Sequence, residues 1–366
     1  MTQVDEKART KKRFLLIINF LMLALGTSGG PLILRLYYIH GGKRIWLSSF
    51  LQTAGFPISL LPFSIFSIIR RRRLLVAGDN NNNSSAKQTM FTMKPLYLIA
   101  FAAIGLLYGV DNILYCYGLD RLPVSTASLV TATQLGFTAI MAFFIVRQKF
   151  SAYSVNAVVL LTIGAGVLAL HGGGDRVGGE SSKQYVMGFV MSLMAAAMFG
   201  VIMPLLEFLY SKMKGTITYS VMMESQLVIG VFATLFSVVG MIINNDFKEI
   251  PKEAKQFELG EANYYLVLVA TCIIWHLNFL GTTGITFCAS SLLSGVMVSL
   301  MMVVTEVLAV LIFKEQFKAE KGVSLALSLW GFLSYFYGEF KQAKKLKKNH
   351  IPKEELPQNH NGFPHP

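Results

Sequence analysis

The chain has 366 residues, of which 53% are hydrophobic and 14% charged, with a formal net charge of +13. Soluble domains carry about 25% charge, and the mean hydropathy here is +0.52. Long apolar runs separated by short charged stretches exclude a soluble enzyme or a nucleic-acid-binding domain and specify a polytopic membrane protein.

A helical span needs about 20 mostly apolar residues. Ten such stretches occur in chain order, at 14–38, 44–69, 95–118, 123–147, 152–171, 185–210, 217–243, 262–287, 290–314 and 319–340. The basic start followed by an apolar run mimics a signal peptide. Residues 14–38 outrun a signal h-region and more spans follow, so an uncleaved first span is expected. Residues 1–13 are then a cytosolic N-terminus, and 341–366 a cytosolic, lysine-rich and disordered tail. With both termini inside, most of the 33 Lys and Arg residues fall on cytosolic segments, as the positive-inside rule requires. The run Arg70, Arg71, Arg72, Arg73 is accordingly an orientation signal, with anionic lipid as a possible contact, rather than a nucleic-acid patch. Asn80 to Ser85 read as a disordered polar connector, and 244–261 as a mixed acidic outer loop. Cys116, Cys272 and Cys288 all lie in spans and give neither a disulfide framework nor metal-ligand spacing, so no cofactor is implied.

The phrase "PLILRLYY" beginning at Pro31 returns as "PLLEFLYS" at Pro204. Leu32, Leu36, Tyr37 and Gly42 meet Leu205, Leu209, Tyr210 and Gly215 in this register. Residues 143–152 echo 310–319 at a similar separation, a register that pairs Gly164 with Gly331. Slightly upstream Asn112 pairs with Asn278 and Gly118 with Gly284. These echoes argue for duplication. The expected fold class is an all-α membrane protein of ten transmembrane helices, as two five-helix inverted-topology repeats at 14–171 and 185–340. Such repeats rock around a midplane site to give alternating access. Pro31 and Pro204, with Gly26, Gly29 and Gly30, are expected to loosen the repeated helix.

Ionisable and amide side chains inside spans are few and expensive, and so mark candidate sites. Asn112 shares a helix face with Tyr108 and Tyr115, and Trp275, Asn278 and Thr282 form a similar face. Amides flanked by aromatics suit a flat molecule with donors and acceptors at its edge. Asn112, Tyr115, Gln134, Trp275, His276 and Asn278 are the candidate substrate-binding residues. Interhelical hydrogen bonding is the alternative for the amides, and a satisfied bundle histidine for His276. Glu207, Glu306 and Glu224 are the proton-coupling candidates, because a desolvated carboxyl can hold a proton in one state and release it in another. A static role, such as pairing of Glu207 with Arg35, stays open. Arg35 near its span's end is also explained by snorkelling.

Several stretches resemble the plant purine permease family of the drug/metabolite transporter superfamily. They are "GGPLILRLYYIHGGKRIWLSSFLQTAGFP", "DNILYCYGLDRLPVSTASLVTATQLGFTA", "NAVVLLTIGAGVLALH", "PLLEFLY", "FCASSLLSG" and "TEVLAVLIFKEQFKAEKGVSLALSLWGFLSYFYGEFK". The resemblance implies a ten-span importer, driven by the proton gradient, for adenine, cytokinins and related nitrogen heterocycles, and the plasma membrane is the expected location, with the vacuolar membrane open. Some members take alkaloids or vitamin B6-type compounds. His276 follows Trp275 where the family usually has glutamine, and Val303 stands where proline is common. Both departures keep an alkaloid-type substrate open. A nucleotide-sugar or sugar-phosphate exchanger would need cations in the pathway, and only Arg35 qualifies. A receptor or scaffold would expect a soluble partner domain. The implied partners are a small heterocycle, protons and the lipid bilayer, with no nucleic acid.

Overall fold

The computed structural model describes residues 3–60, 63, 64, 68, 93–148, 151–171, 182–213, 219–314 and 317–349. Its described residues form helices and no strand. In chain order the α-helices are α1 (Gln3–Ile39), α2 (Ile45–Thr53), α3 (Pro95–Arg121), α4 (Val124–Ala132), α5 (Gln134–Ile145), α6 (Ala152–His171), α7 (Ser182–Lys212), α8 (Tyr219–Ile243), α9 (Asp246–Gln256), α10 (Glu261–Cys288), α11 (Ser291–Phe313) and α12 (Ala319–Asn349), with a 3-10 turn at Phe56–Ser59 after α2.

Among the described residues, seven segments are long and apolar enough to cross a membrane: Arg13–Ile39, Pro95–Arg121, Val124–Ile145, Lys183–Lys212, Val221–Ile243, Glu261–Cys288 and Ser291–Phe313. The other three expected spans differ. In 44–69, α2 stops at Thr53 and a 3-10 turn follows, while residues 61, 62, 65–67 and 69 lie outside the described residues. The apolar part of α6 is the shorter Ala152–Gly164. Finally, α12 runs on through the lysine-rich residues to Asn349, beyond the expected end at 340. The connector at Asn80 to Ser85 and the tail after Asn349 lie outside the description. Large apolar side chains such as Ile99, Phe144, Leu266 and Leu311 stand exposed along the helices, as on a surface solvated by lipid rather than water.

Local chemistry sets the helix ends. Pro95 opens α3, where its missing N–H costs nothing. Leu122, held extended ahead of Pro123, closes it. Pro31 and Pro204 do not end their helices: α1 and α7 continue through them. The expected span at 123–147 is interrupted at Thr133 instead. The Thr133 hydroxyl donates to Val130 O at 2.7 Å, and the Ala132 carbonyl accepts from Ser299 Oγ at 3.2 Å. The residues read as the loop 244–261 contain α9, with Asp246 and Glu249 in its first turn and Lys255 in its last, matching the helix dipole.

α1 packs along α10 and α11, and α7 along α3 and α5. α6 lies against α12, α4 against α11, and α2 is wedged among α8, α3 and α10. Small residues permit the closest approaches. A Cβ at Gly26 would run into the Asn278 backbone, and one at Gly284 into the Asn19 side chain. In the other helix pair a Cβ at Gly118 would strike Ser192.

Candidate functional site

The convergence of α2, α3 and α10 brings several of the expected residues together. On α3, Asn112 is 2% exposed, with Asp111, Tyr115 and Cys116 buried around it. The Tyr115 ring meets Trp275 of α10 edge-on, with centroids 5.4 Å apart and planes at 71°. Trp275 in turn closes over α1 at Gly30, where a Cβ would lie 2.8 Å from its Cε2. Asn112 Nδ2, Tyr115 Oη and Trp275 Nε1 are all buried without a hydrogen-bond partner among the described residues. Buried polar groups are normally matched, and here three unmatched ones flank an aromatic pair. The arrangement supplies stacking surface plus donors at its rim.

The other three candidates meet other groups. Asn278 is committed to helix packing: its Oδ1 accepts from Thr27 Oγ1 at 2.7 Å, and Thr305 Oγ1 donates to the Thr27 carbonyl at 3.2 Å. His276 points to the 3-10 turn, where Nε2 lies 2.7 Å from Ser59 Oγ. It packs on Gly55, where a Cβ would come within 2.6 Å of Cys272 O. Gln134 begins α5 beside the Thr133 interruption, buried with Nε2 unmatched among the described residues.

The three carboxyls occupy different settings. Glu207, half-buried near the end of α7, accepts the Ser291 N–H at 2.7 Å, and Ser290 Oγ accepts the Leu293 N–H at 3.1 Å. Together they cap the N-terminus of α11. The suggested partner Arg35 instead donates to Leu119 O at 3.4 Å, in the last turn of α3. Glu306 in α11 and Glu224 in α8 are fully buried. No group of His, Cys, Asp and Glu among the described residues could hold a metal ion.

The sequence reading missed three buried groups. Gln52 of α2, 2% exposed, donates from Nε2 to Cys116 Sγ at 2.9 Å, and its Oε1 has no partner among the described residues. Gln226 donates to Thr283 Oγ1, joining α8 to α10. Lys321, in the first turn of α12, is buried and donates to Ser125 Oγ at 2.6 Å. The signal available for the two glutamines was the rule that selected Asn112, an amide inside an apolar span.

Residues 14–345 match the family described as purine nucleobase transmembrane transport. The chain is 51% identical to Purine permease 3 of Arabidopsis thaliana, over 93% of this chain and 94% of that protein. It is also 51% identical to Purine permease 2 of the same plant, over 94% of this chain and 98% of that one. A solved crystal structure superposes with a TM-score of 0.55 over 87% of this chain and 97% of its own, at 16% identity, which is a likeness of fold alone. The match spans nearly the whole apolar chain, and the chain belongs to the purine nucleobase transport family, as a multi-pass membrane transporter and not an enzyme.

Proposed function

We propose that this chain imports purine-type heterocycles, adenine and cytokinins among them, by proton-coupled alternating access across the plasma membrane, with both termini cytosolic. The observation that carries the substrate reading is the Tyr115–Trp275 pair with its unmatched Asn112 amide. A purine offers a π-face for the rings and ring nitrogens for the donors. His276, the departure from the family pattern, is engaged with Ser59 and leaves this donor set intact.

The ten-span inverted repeat is part of the proposal, and mirrored packing supports it. Gly284 of α10 abuts Asn19 of α1, and Gly118 of α3 abuts Ser192 of α7. Asn19 and Ser192 stand in the register of Pro31 and Pro204. Gly164 abuts Ser324 and Leu327, while Gly331 abuts Ala157 and Leu160, the same contact with the halves exchanged. Ala132 and Ser299, mates in that register, touch each other, as groups at a pseudo-two-fold axis do. Glu306, Glu224 and Glu207 are the carboxyls available for proton coupling, with Glu306 and Glu224 in the drier positions.

Uptake in yeast of adenine, a cytokinin and a basic alkaloid, at acidic and neutral pH with and without a protonophore, tests the proposal. Adenine and cytokinin uptake that is faster in acid and collapses with the protonophore is expected. Trp275→Ala should raise KM by roughly 5- to 150-fold, the equivalent of about 1–3 kcal/mol of base stacking. Normal import by both Trp275→Ala and Asn112→Leu, at normal surface abundance, would place the site elsewhere.

A further inference from the structure

We infer that Gln52 determines specificity: its side-chain carbonyl accepts an N–H of the heterocycle, and Cys116 sets the orientation of its amide. This rests on the transport function proposed above and adds to that site a residue and a hydrogen-bonding rule.

The polar side chains around Gln52 on α2 are occupied locally. Ser48 Oγ donates to Arg44 O at 2.9 Å, Ser49 Oγ lies 3.1 Å from Ser237 Oγ, and Thr53 Oγ1 donates to Phe50 O at 3.1 Å. Gln52 alone in this helix leaves a buried side-chain atom unmatched among the described residues. Its N–H is spent on a thiol sulfur, a weak acceptor. A pure packing amide would more cheaply be apolar. The thiol contact does one thing well: it turns the amide so that nitrogen faces Cys116 and oxygen is left over.

The residue that Gln52 contacts adjoins the aromatic pair. Cys116 follows Tyr115, whose ring touches Trp275, and stands one turn after Asn112 on the same face of α3. Three residues beyond Gln52, Gly55 in the turn after α2 lies against α10 at Cys272 and His276, the residues that bracket Trp275. Gln52 thus sits in the wedge between the two helices that carry the aromatic pair. Asn112 Nδ2 and Trp275 Nε1 offer donors there, and Gln52 Oε1 offers an acceptor. A ligand satisfies all three only by presenting ring-nitrogen acceptors together with an N–H. A site built to bind an N–H rejects an analogue lacking it far more strongly than an apolar pocket rejects an extra methyl.

The test uses the full chain in yeast and compares kcat/KM for adenine, for adenine methylated on its imidazole nitrogen, and for adenine dimethylated on its exocyclic amine. The unsubstituted protein should prefer adenine over at least one analogue by ~10-fold or more. In Gln52→Leu that preference should collapse toward one, through loss on adenine and retention on the analogue, and the analogue concerned identifies the N–H. Cys116→Val, which frees the amide to rotate, should erode the same ratio while adenine uptake persists, and it carries the test where Gln52→Leu fails to reach the membrane. A structural role for Gln52 would slow every ligand alike, and an unchanged ratio in whichever variant reaches the membrane overturns the inference while leaving adenine transport standing. No adenine uptake by the unsubstituted protein overturns the transport function itself, and this inference with it.

Discussion

Arg44 carries the heaviest electrostatic duty in the described structure, and its removal has a calculable cost. It caps α2 after the tight turn at Gly41 and Gly42. Its Nη1 lies 3.5 Å from Asp246, its Nη2 3.4 Å from Glu249 and its Nε 3.6 Å from Glu253. One guanidinium therefore fastens α9 to the α1–α2 hairpin. Truncating one partner of a fully buried pair costs about 3–5 kcal/mol. Two features lower that figure here. Arg44 is 28% exposed and Glu249 32%, so water takes up part of the loss. Glu253 also keeps Tyr37 Oη, Tyr264 Oη and the Lys43 N–H as donors. Asp246, fully buried, keeps the Asn244 amide at 2.9 Å and the Leu47 N–H. Arg44→Ala should therefore cost about 2 kcal/mol, a fall in melting temperature on the order of 5 °C for detergent-solubilised protein. Arg44→Lys should recover less than half, because a point charge cannot serve three carboxylates arranged around a planar fork. A melting temperature for Arg44→Ala within about 1 °C of the parent, or full recovery by lysine, would refute this account.

Acid titration of the same cluster has two opposite signs. Burial raises the Asp246 carboxyl above its ordinary 3.8, with Asn244 and Arg44 pulling it back, so its contribution is fullest when protonated and is lost as pH rises through the raised value. Glu249 is held below its ordinary 4.5, first by the Lys252 hydrogen bond and then by the charges of Lys252 and Arg44, so its contribution is present above that value and lost as pH falls. Melting curves across the acid range should show the parent's advantage over Asp246→Asn shrinking as pH rises, and its advantage over Glu249→Gln shrinking as pH falls; differences that do not change with pH would contradict both signs. Glu207→Gln keeps a carbonyl oxygen for the Ser291 N–H and loses only a charge at a helix N-terminus, about 0.3–1 kcal/mol, so the variant should reach the membrane at parental abundance. With expression intact, counterflow exchange that survives while accumulation vanishes would make Glu207 the proton carrier, whereas concentrative uptake would exclude it. Arg35→Leu should not rescue any defect of Glu207→Gln, since Arg35 is bound to Leu119.

What the sequence disclosed depended on range. Apolar runs mark α1, α3, α7, α10 and α11 because a dry helix must satisfy its backbone within itself. The paired glycines were legible too: Gly118 and Gly284 matched in sequence, and each meets a polar side chain across a close helix contact. The interruption at Thr133 was not legible, because it needs a hydroxyl from Ser299 far along the chain. Helix α9 reads as a loop because its buried Asp246 is tolerable only beside Arg44, which the local sequence does not contain. Asn278 and His276 were correctly seen as polar groups in a span, yet the choice between ligand and packing lies with Thr27 and Ser59 on other helices. Gln52 was passed over among serines and threonines. As an amide in an apolar span it met the rule that selected Asn112, and the oxygen left unmatched in three dimensions singles it out.

The two charges in the repeated phrase have a common physical origin despite their opposite signs. A helix leaves unpaired N–H groups at its start and unpaired carbonyls at its end, with partial charges to match. Arg35 meets the carbonyl end of α3 at Leu119, and Glu207 meets the N–H end of α11 at Ser291. Each charge is neutralised in part by a backbone terminus, so neither needs the other, and the phrase can carry a cation in one copy and an anion in the other. Glu306 lies well inside α11 and Glu224 in the second turn of α8, and both are buried. Of the three carboxyls proposed for proton coupling, Glu207 is thus the one seen to cap a helix, and Glu207→Gln separates that structural role from proton transfer.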